Sequence, residues 1–215
     1  MLRVIGNSHA GIFSGKQQNW ATWPGKCIDT IVNVKSFQLG PIIAYNFYEH
    51  HLPKVYEIIN ADPPLKHDWY LFTVGEVDCR WHIPFQSDKK KVRFESVVEE
   101  CCDRYFKALL DLKNKKINVA VWGVHPSTSS GHNEDPDNPV FGDFLLRNSI
   151  SEYWNSYSDY LCRLYKIPFI SIYYDLLNND FTRKDEYFLD YCHLSEKALP
   201  IIKGKINSWI PELHL

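Results

Sequence analysis

No uninterrupted apolar stretch in the 215 residues approaches the roughly 20 needed to span a bilayer, so no membrane-spanning helix is expected. An excess of either charge is missing too: 24 Lys and Arg stand against 26 Asp and Glu, a formal net charge of -2. That balance leaves no electrostatic footprint for nucleic acid or an anionic membrane surface. The six cysteines, Cys27, Cys79, Cys101, Cys102, Cys162 and Cys192, form no C-x-x-C pair, which removes zinc-ribbon and thioredoxin-type readings. Without a secretory signal an even cysteine count makes no disulfide framework, and reduced, mostly buried thiols are expected. Neither a P-loop nor a G-x-G-x-x-G run occurs, so the simplest nucleotide-binding readings drop out. Internal repeats and low-complexity tracts are absent. The opening Met-Leu-Arg-Val-Ile-Gly has too short an apolar run for a signal peptide, and a cytoplasmic location is the expectation.

What is present is ordinary globular usage, 45% hydrophobic and 23% charged residues, in a chain of a length that suits one domain spanning 1–215. Five short runs rich in β-branched and aromatic residues read as buried parallel strands: Leu2 to Ile5, Ile28 to Val34, Trp69 to Val74, Ile117 to Trp122 and Pro168 to Tyr173. Between them lie stretches of helical period. Phe94, Val98, Cys101, Tyr105, Leu109 and Leu112 keep one face inward. From Ile150 the apolar positions run Tyr153, Tyr157, Tyr160 and Leu164, with Trp154 and Leu161 widening the stripe. Ser195 to Trp209 predicts a final helix, weakened by Pro200 and Gly204. Strands alternating with helices imply right-handed βαβ units and an α/β fold, a three-layer α/β/α sandwich around a central parallel sheet of about five strands. The longest loop, His125 to Asp143, should leave the C-terminal end of the fourth strand, the edge where open α/β sheets bind ligands.

Two short segments carry the chemistry. The first strand runs into Gly6-Asn7-Ser8-His9-Ala10-Gly11. A serine at a strand-to-helix turn is placed for nucleophilic attack, and its own N–H, at a helix start, is a donor to a developing oxyanion. Small polar residues are also common in such turns for structural reasons alone. Near the other end, Asp190-Tyr191-Cys192-His193 sets a carboxylate three residues before a histidine. Histidine is the base a serine hydroxyl needs, and the carboxylate orients it. The competing reading makes Asp190 a helix cap and His193 a surface residue.

Taken together, these residues resemble the SGNH, or GDSL-like, hydrolase superfamily. The resemblance spans the chain through short motifs and implies a flavodoxin-like sandwich. It assigns the nucleophile to Ser8 and the D-x-x-H pair to Asp190 and His193. The family's second block contributes an oxyanion-hole glycine, best matched by Gly40 in Phe37-Gln38-Leu39-Gly40-Pro41; a turn glycine before a helix is an equally simple role. The third block, G-x-N-D, aligns with Gly75-Glu76-Val77-Asp78, and Val77 stands where the oxyanion-hole asparagine belongs. Valine donates no hydrogen bond. Asn7 replaces the usual aspartate before the serine.

Arg80 is the candidate replacement donor if strand geometry continues past Gly75, setting Glu76, Asp78 and Arg80 on one side. A structural ion pair of Arg80 with Asp78 or Glu76 is the alternative. Asp78 and His125 are candidate substrate contacts, with His132 in the same loop. Nothing in the spacing completes a metal site, and no metal or cofactor is expected. His50-His51 read as exposed residues at a helix end, and Lys89-Lys90-Lys91 as a solvated helix entry rather than a partner patch.

The resemblance thus implies a serine esterase removing an O-acyl group, most simply acetyl, from a small-molecule or glycan acyl ester. Seven tryptophans and thirteen tyrosines, among them Trp20, Trp23 and Trp81 near the motifs, suit sugar faces, although aromatic residues also serve packing. A glycan O-acyltransferase would use the same serine. A non-catalytic glycan-binding module on the same fold is favoured by Val77 and disfavoured by the retained trio.

Overall fold

A computed structural model describes residues 1–18, 24–128 and 140–213, and its strands form one six-stranded sheet. The strands are β1 Leu2–Gly6, β2 Gly25–Lys26, β3 Val34–Gln38, β4 Trp69–Thr73, β5 Asn118–Trp122 and β6 Phe169–Ile170, in the spatial order β2-β3-β1-β4-β5-β6. All neighbours are parallel except the short edge strand β2, which runs antiparallel to β3. Both faces are covered, so successive residues of one strand feed opposite cores. Ile5, Phe72 and Val121 pack among residues of α1 Leu52–Ala61, α3 Phe94–Asn114 and α4 Phe144–Tyr165. Val4, Leu71 and Trp122 pack against the 3-10 helix Ser8–Ser14 and α5 Leu199–Trp209. A short α2, Ile83–Lys90, completes the helical layers. This is the expected α/β/α sandwich. Among the described residues no helix is long and apolar enough to cross a membrane.

The second strand falls later than its hydrophobicity predicts. Ile28 and Val32 are 66% and 79% exposed, and Asn33 takes a positive φ of 64° that breaks the run. The sheet instead takes Val34–Gln38, where Val34 pairs with Leu2 and the buried Ser36 and Gln38 are polar. The last strand also shrinks, from Pro168–Tyr173 to Phe169–Ile170. Helix α3 follows its predicted stripe. In α4 the predicted positions Tyr160 and Leu164 are exposed, while Ser151, Asn155 and Ser158 are buried with Ile150, Trp154 and Leu161. Pro200 is tolerated because it occupies the first turn of α5, where a missing N–H costs nothing. The lysine run lies at the end of α2 rather than at a helix entry, where positive charge suits the exposed carbonyls. All six cysteines are buried, and none forms a disulfide among the described residues.

In this strand order β1 is the point at which the connections reverse, β3 lying on one side and β4 on the other. Ligands in open α/β sheets bind beyond the C-terminal strand ends at such a point. Ser8 leaves the sheet there.

Candidate active site

Asn7 ends β1 by capping the 3-10 helix: its Oδ1 accepts the His9 N–H at 3.1 Å. The cap turns the chain off the sheet and sets the half-buried Ser8 in the first helical turn. Gln17 Nε2 holds the Ser8 carbonyl at 2.8 Å.

Asp190 organises the opposing segment. Its Oδ1 accepts the backbone N–H groups of Cys192 and His193 at 2.8 and 2.7 Å, and its Oδ2 lies 2.7 Å from His193 Nδ1. A carboxylate only accepts, so Nδ1 carries the proton and Nε2 is the free base. His193 Nε2 lies 2.7 Å from Ser8 Oγ. Burial alone would raise the Asp190 carboxyl, but these bonds to His193 and Cys192 outweigh it and hold it below the usual carboxylate range. Arg183 braces the turn, donating through Nη1 to the Tyr191 carbonyl at 2.7 Å and through Nη2 to the Asp190 carbonyl at 3.1 Å. Its Nε bonds Asp185 at 2.6 Å.

Gly40 comes to the same edge because β3 continues one residue along β1, with Leu39 N–H donating to the Gly6 carbonyl at 2.8 Å. The chain then turns at Gly40 with φ of 92°, a conformation other residues rarely adopt. At the end of β4, Gly75 is required on two grounds. Its φ is 119°, and a Cβ there would lie 2.5 Å from the Trp154 ring.

Beyond Gly75 the chain does not remain extended. Val77 is helical, and a π-helical turn spans Asp78–His82. Glu76 and Arg80 therefore share one helical face, with Arg80 Nε donating to Glu76 Oε1 at 2.8 Å, while Asp78 points away. Asp78 is 0% exposed and accepts the Ala44 N–H at 2.8 Å, so it anchors the segment after Gly40 instead of meeting a substrate. Burial pushes its carboxyl up to about 7 against the bonds from Ala44 and Tyr45. Of the two ion pairs foreseen for Arg80, the one with Glu76 forms. The Arg80 guanidinium also lies 5.6 Å from the centre of the Tyr191 ring.

His125 is buried beside the trio. Its ring is 5.4 Å from that of His9, which in turn is 5.0 Å from that of His193. His9 Nε2 sits 3.2 Å from Glu76 Oε2, an ion-pair distance. Burial outweighs the pull of Glu76 and lowers the His9 pKa, whereas Arg80 and His9 hold Glu76 ionised in spite of burial. Ser8, Asp190, His193, Gly40, Arg80 and His125 thus gather at one sheet edge. His9, Glu76 and Arg183 were not read as site residues from the sequence. Only the adjacency of His9 to Ser8 and of Glu76 to Gly75 could have flagged the first two. Trp20, Trp23 and His132 lie outside the described residues.

His9, Cys192 and His193 also bring potential metal-ligand atoms within 4.8 Å of one another. The donor set fits a metal poorly: burial raises the Cys192 thiol, and both His193 nitrogens already face protein partners.

No family model matches this sequence, and no curated protein matches it. Solved structures do. A GDSL-like lipase from Bacteroides thetaiotaomicron superposes with a TM-score of 0.60 at 15% identity, covering 98% of this chain and 87% of its own. A catalytic mutant of an acetylxylan esterase from Geobacillus stearothermophilus gives 0.59 at 14%, covering 97% and 93%. An acetyl xylan esterase, AlAXEase, gives 0.58 at 14%, covering 98% and 100%. The fold of this chain is that of the SGNH-like hydrolases.

Proposed function

We propose that the protein is a serine esterase of SGNH type that removes an O-acyl group, acetyl in the simplest case, by way of an acyl-serine. The observation that carries the reading is the continuous Ser8–His193–Asp190 hydrogen-bond chain, 2.7 Å at each side-chain link. Ser8 Oγ attacks the ester carbonyl as His193 Nε2 takes its proton. Asp190 stabilises the imidazolium and keeps Nδ1 protonated. His193 then returns the proton to the leaving alcohol, and water attacks the acyl-serine with His193 again as base.

The Ser8 and Gly40 N–H groups are assigned to the oxyanion. A lost donor costs about 2.7–4 kcal/mol in other enzymes, so the valine at position 77 demands compensation. Arg80, fixed by Glu76, is assigned that electrostatic role. A carbohydrate alcohol is supported by the aromatic rings next to Arg80: Trp81 stacks on Phe85 at 5.4 Å, and Phe141 meets Phe85 edge-on. A location in the cytoplasm remains part of the proposal.

The test is p-nitrophenol release from p-nitrophenyl acetate, followed through the pre-steady state for wild type and Ser8→Ala. Sustained turnover lost in the variant supports the esterase. A single burst without turnover favours an acyltransferase awaiting its acceptor, and equal background rates favour a binding module.

A further inference from the structure

A narrow cleft beside the trio is lined by Glu76, Arg80, His125, Ser127, Arg147 and Tyr191, with Cys192 linking it to His193. Among its described residues, one buried donor, on His125, has no hydrogen-bond partner, and one buried guanidinium, on Arg147, has no ion pair.

The first is on His125. The indole N–H of Trp122 can only donate, and it lies 3.1 Å from His125 Nε2. Nε2 therefore accepts, and the proton of the neutral ring is on Nδ1. Burial, reinforced by His9, lowers the His125 pKa to about 3, so the ring stays neutral. Nδ1–H is buried and, among the described residues, has no hydrogen-bond partner.

The second is Arg147, 2% exposed. Its guanidinium meets only neutral oxygens: Ser127 Oγ at 2.8 Å, the Thr128 carbonyl at 3.3 Å and the Gly142 carbonyl. Among the described residues it makes no ion pair, the nearby Asp143 attracting it only at a distance, and burial disfavours its charge, so an anionic partner would stabilise it. The carboxylate in the lining, Glu76, is paired with Arg80 through Oε1, while its Oε2 lies 3.2 Å from His9 Nε2. Among its described residues the lining carries two guanidinium groups, of Arg80 and Arg147, and one carboxylate.

We infer that this cleft is a subsite for a carboxylate of the substrate, which makes the substrate class acyl esters of acidic sugars or similar carboxylate-bearing alcohols. The inference rests on the serine-esterase reading of the same site. The cavity, about 20 Å³, is too small for a sugar ring, so only a small substituent of the substrate enters it. His125 is two ring contacts from His193, through His9, and Cys192 in the lining directly precedes His193, so the cleft adjoins the trio.

The experiment compares mono-O-acetylated glucuronate with the near-isosteric acetylated glucuronamide at neutral pH. Wild type should favour the acid by at least about tenfold in kcat/KM, the scale of one charge-assisted contact. Arg147→Gln should bring that ratio towards one, and Arg147→Lys should restore part of it. Equal turnover of acid and amide by wild type overturns the subsite and leaves the esterase standing. Should Arg147→Gln fail to fold, inhibition of wild-type p-nitrophenyl acetate hydrolysis decides: glucuronate inhibiting far better than glucuronamide supports the subsite, and equal inhibition sinks it. If no ester is turned over, the esterase reading fails and calorimetry takes over. Binding of glucuronate but not glucuronamide then upholds the subsite, and any other pattern rejects it.

Discussion

His193 Nε2 lies 2.7 Å from Ser8 Oγ although 185 positions separate the two residues in the chain. Neither residue belongs to a strand or an α-helix: Ser8 opens the capped 3-10 helix that leaves β1, and His193 lies in a turn wound around the Asp190 carboxylate. The contact exists because α5 and the segment before it fold back over the sheet face that also holds the Ser8 helix.

Removing the Asp190 carboxylate should cost kcat far more than KM. In Asp190→Asn the side chain can donate to Nδ1, which inverts the tautomer and leaves Nε2 protonated against Ser8. A loss on the order of 10⁴ in kcat is expected from the equivalent change in another serine enzyme. Steady-state kinetics on p-nitrophenyl acetate check this; a loss under about tenfold would put Asp190 outside the proton path.

Arg183 should behave as a positioning residue. It holds two carbonyls of the Asp190 turn and touches no reacting atom. Arg183→Met is expected to lower kcat with little change in KM, and to do so by less than Asp190→Asn. A variant that loses stability but keeps kcat would reduce Arg183 to a structural brace.

Asp78 makes stability fall as pH rises. Its carboxyl is raised in the folded protein to about 7 from about 3.9 in the open chain, so folding favours the neutral form. The stability that it supports is fully present below about pH 3.9 and is lost as pH climbs through about 7. Asp78→Asn should therefore be more stable than wild type at pH 8 and show a flatter profile between pH 5 and 8, measured by urea unfolding.

Asp68 carries the opposite sign. It lies at the far end of the sheet, paired with Arg3 at 2.5 Å and the N-terminal amine at 2.9 Å. Burial works against its charge, but these partners hold it down to about 2. Its contribution is present above about pH 3.9 and fades as pH falls towards 2. Asp68→Asn should cost about 3–5 kcal/mol at pH 7, the usual loss when one partner of a buried pair is removed.

Gly75→Ala should be among the most damaging single-methyl changes. The new Cβ would meet the Trp154 ring at 2.5 Å in a backbone conformation that alanine avoids. A destabilisation above about 2 kcal/mol is expected; a melting temperature equal to wild type would show that Trp154 yields freely.

Much of this protein is written locally. The buried runs of β1, β4 and β5, the stripe of α3, and the two motifs around Ser8 and His193 follow from residue chemistry at short spacing, because strand and helix periods act over a few residues. Other features required the assembled sheet. Val34–Gln38 became a strand in preference to the more apolar Ile28–Val34 because pairing with β1 rewards position and backbone donors, not hydrophobicity alone. Asp78 and Arg80 parted because a helical turn, not a strand, follows Gly75, and its i, i+4 geometry joined Arg80 to Glu76. The donor-rich cleft draws on the segments that follow β4 and β5, on α4 and on the Asp190 turn at once. Its unmet hydrogen bond and charge arise from burial, and burial belongs to the tertiary structure.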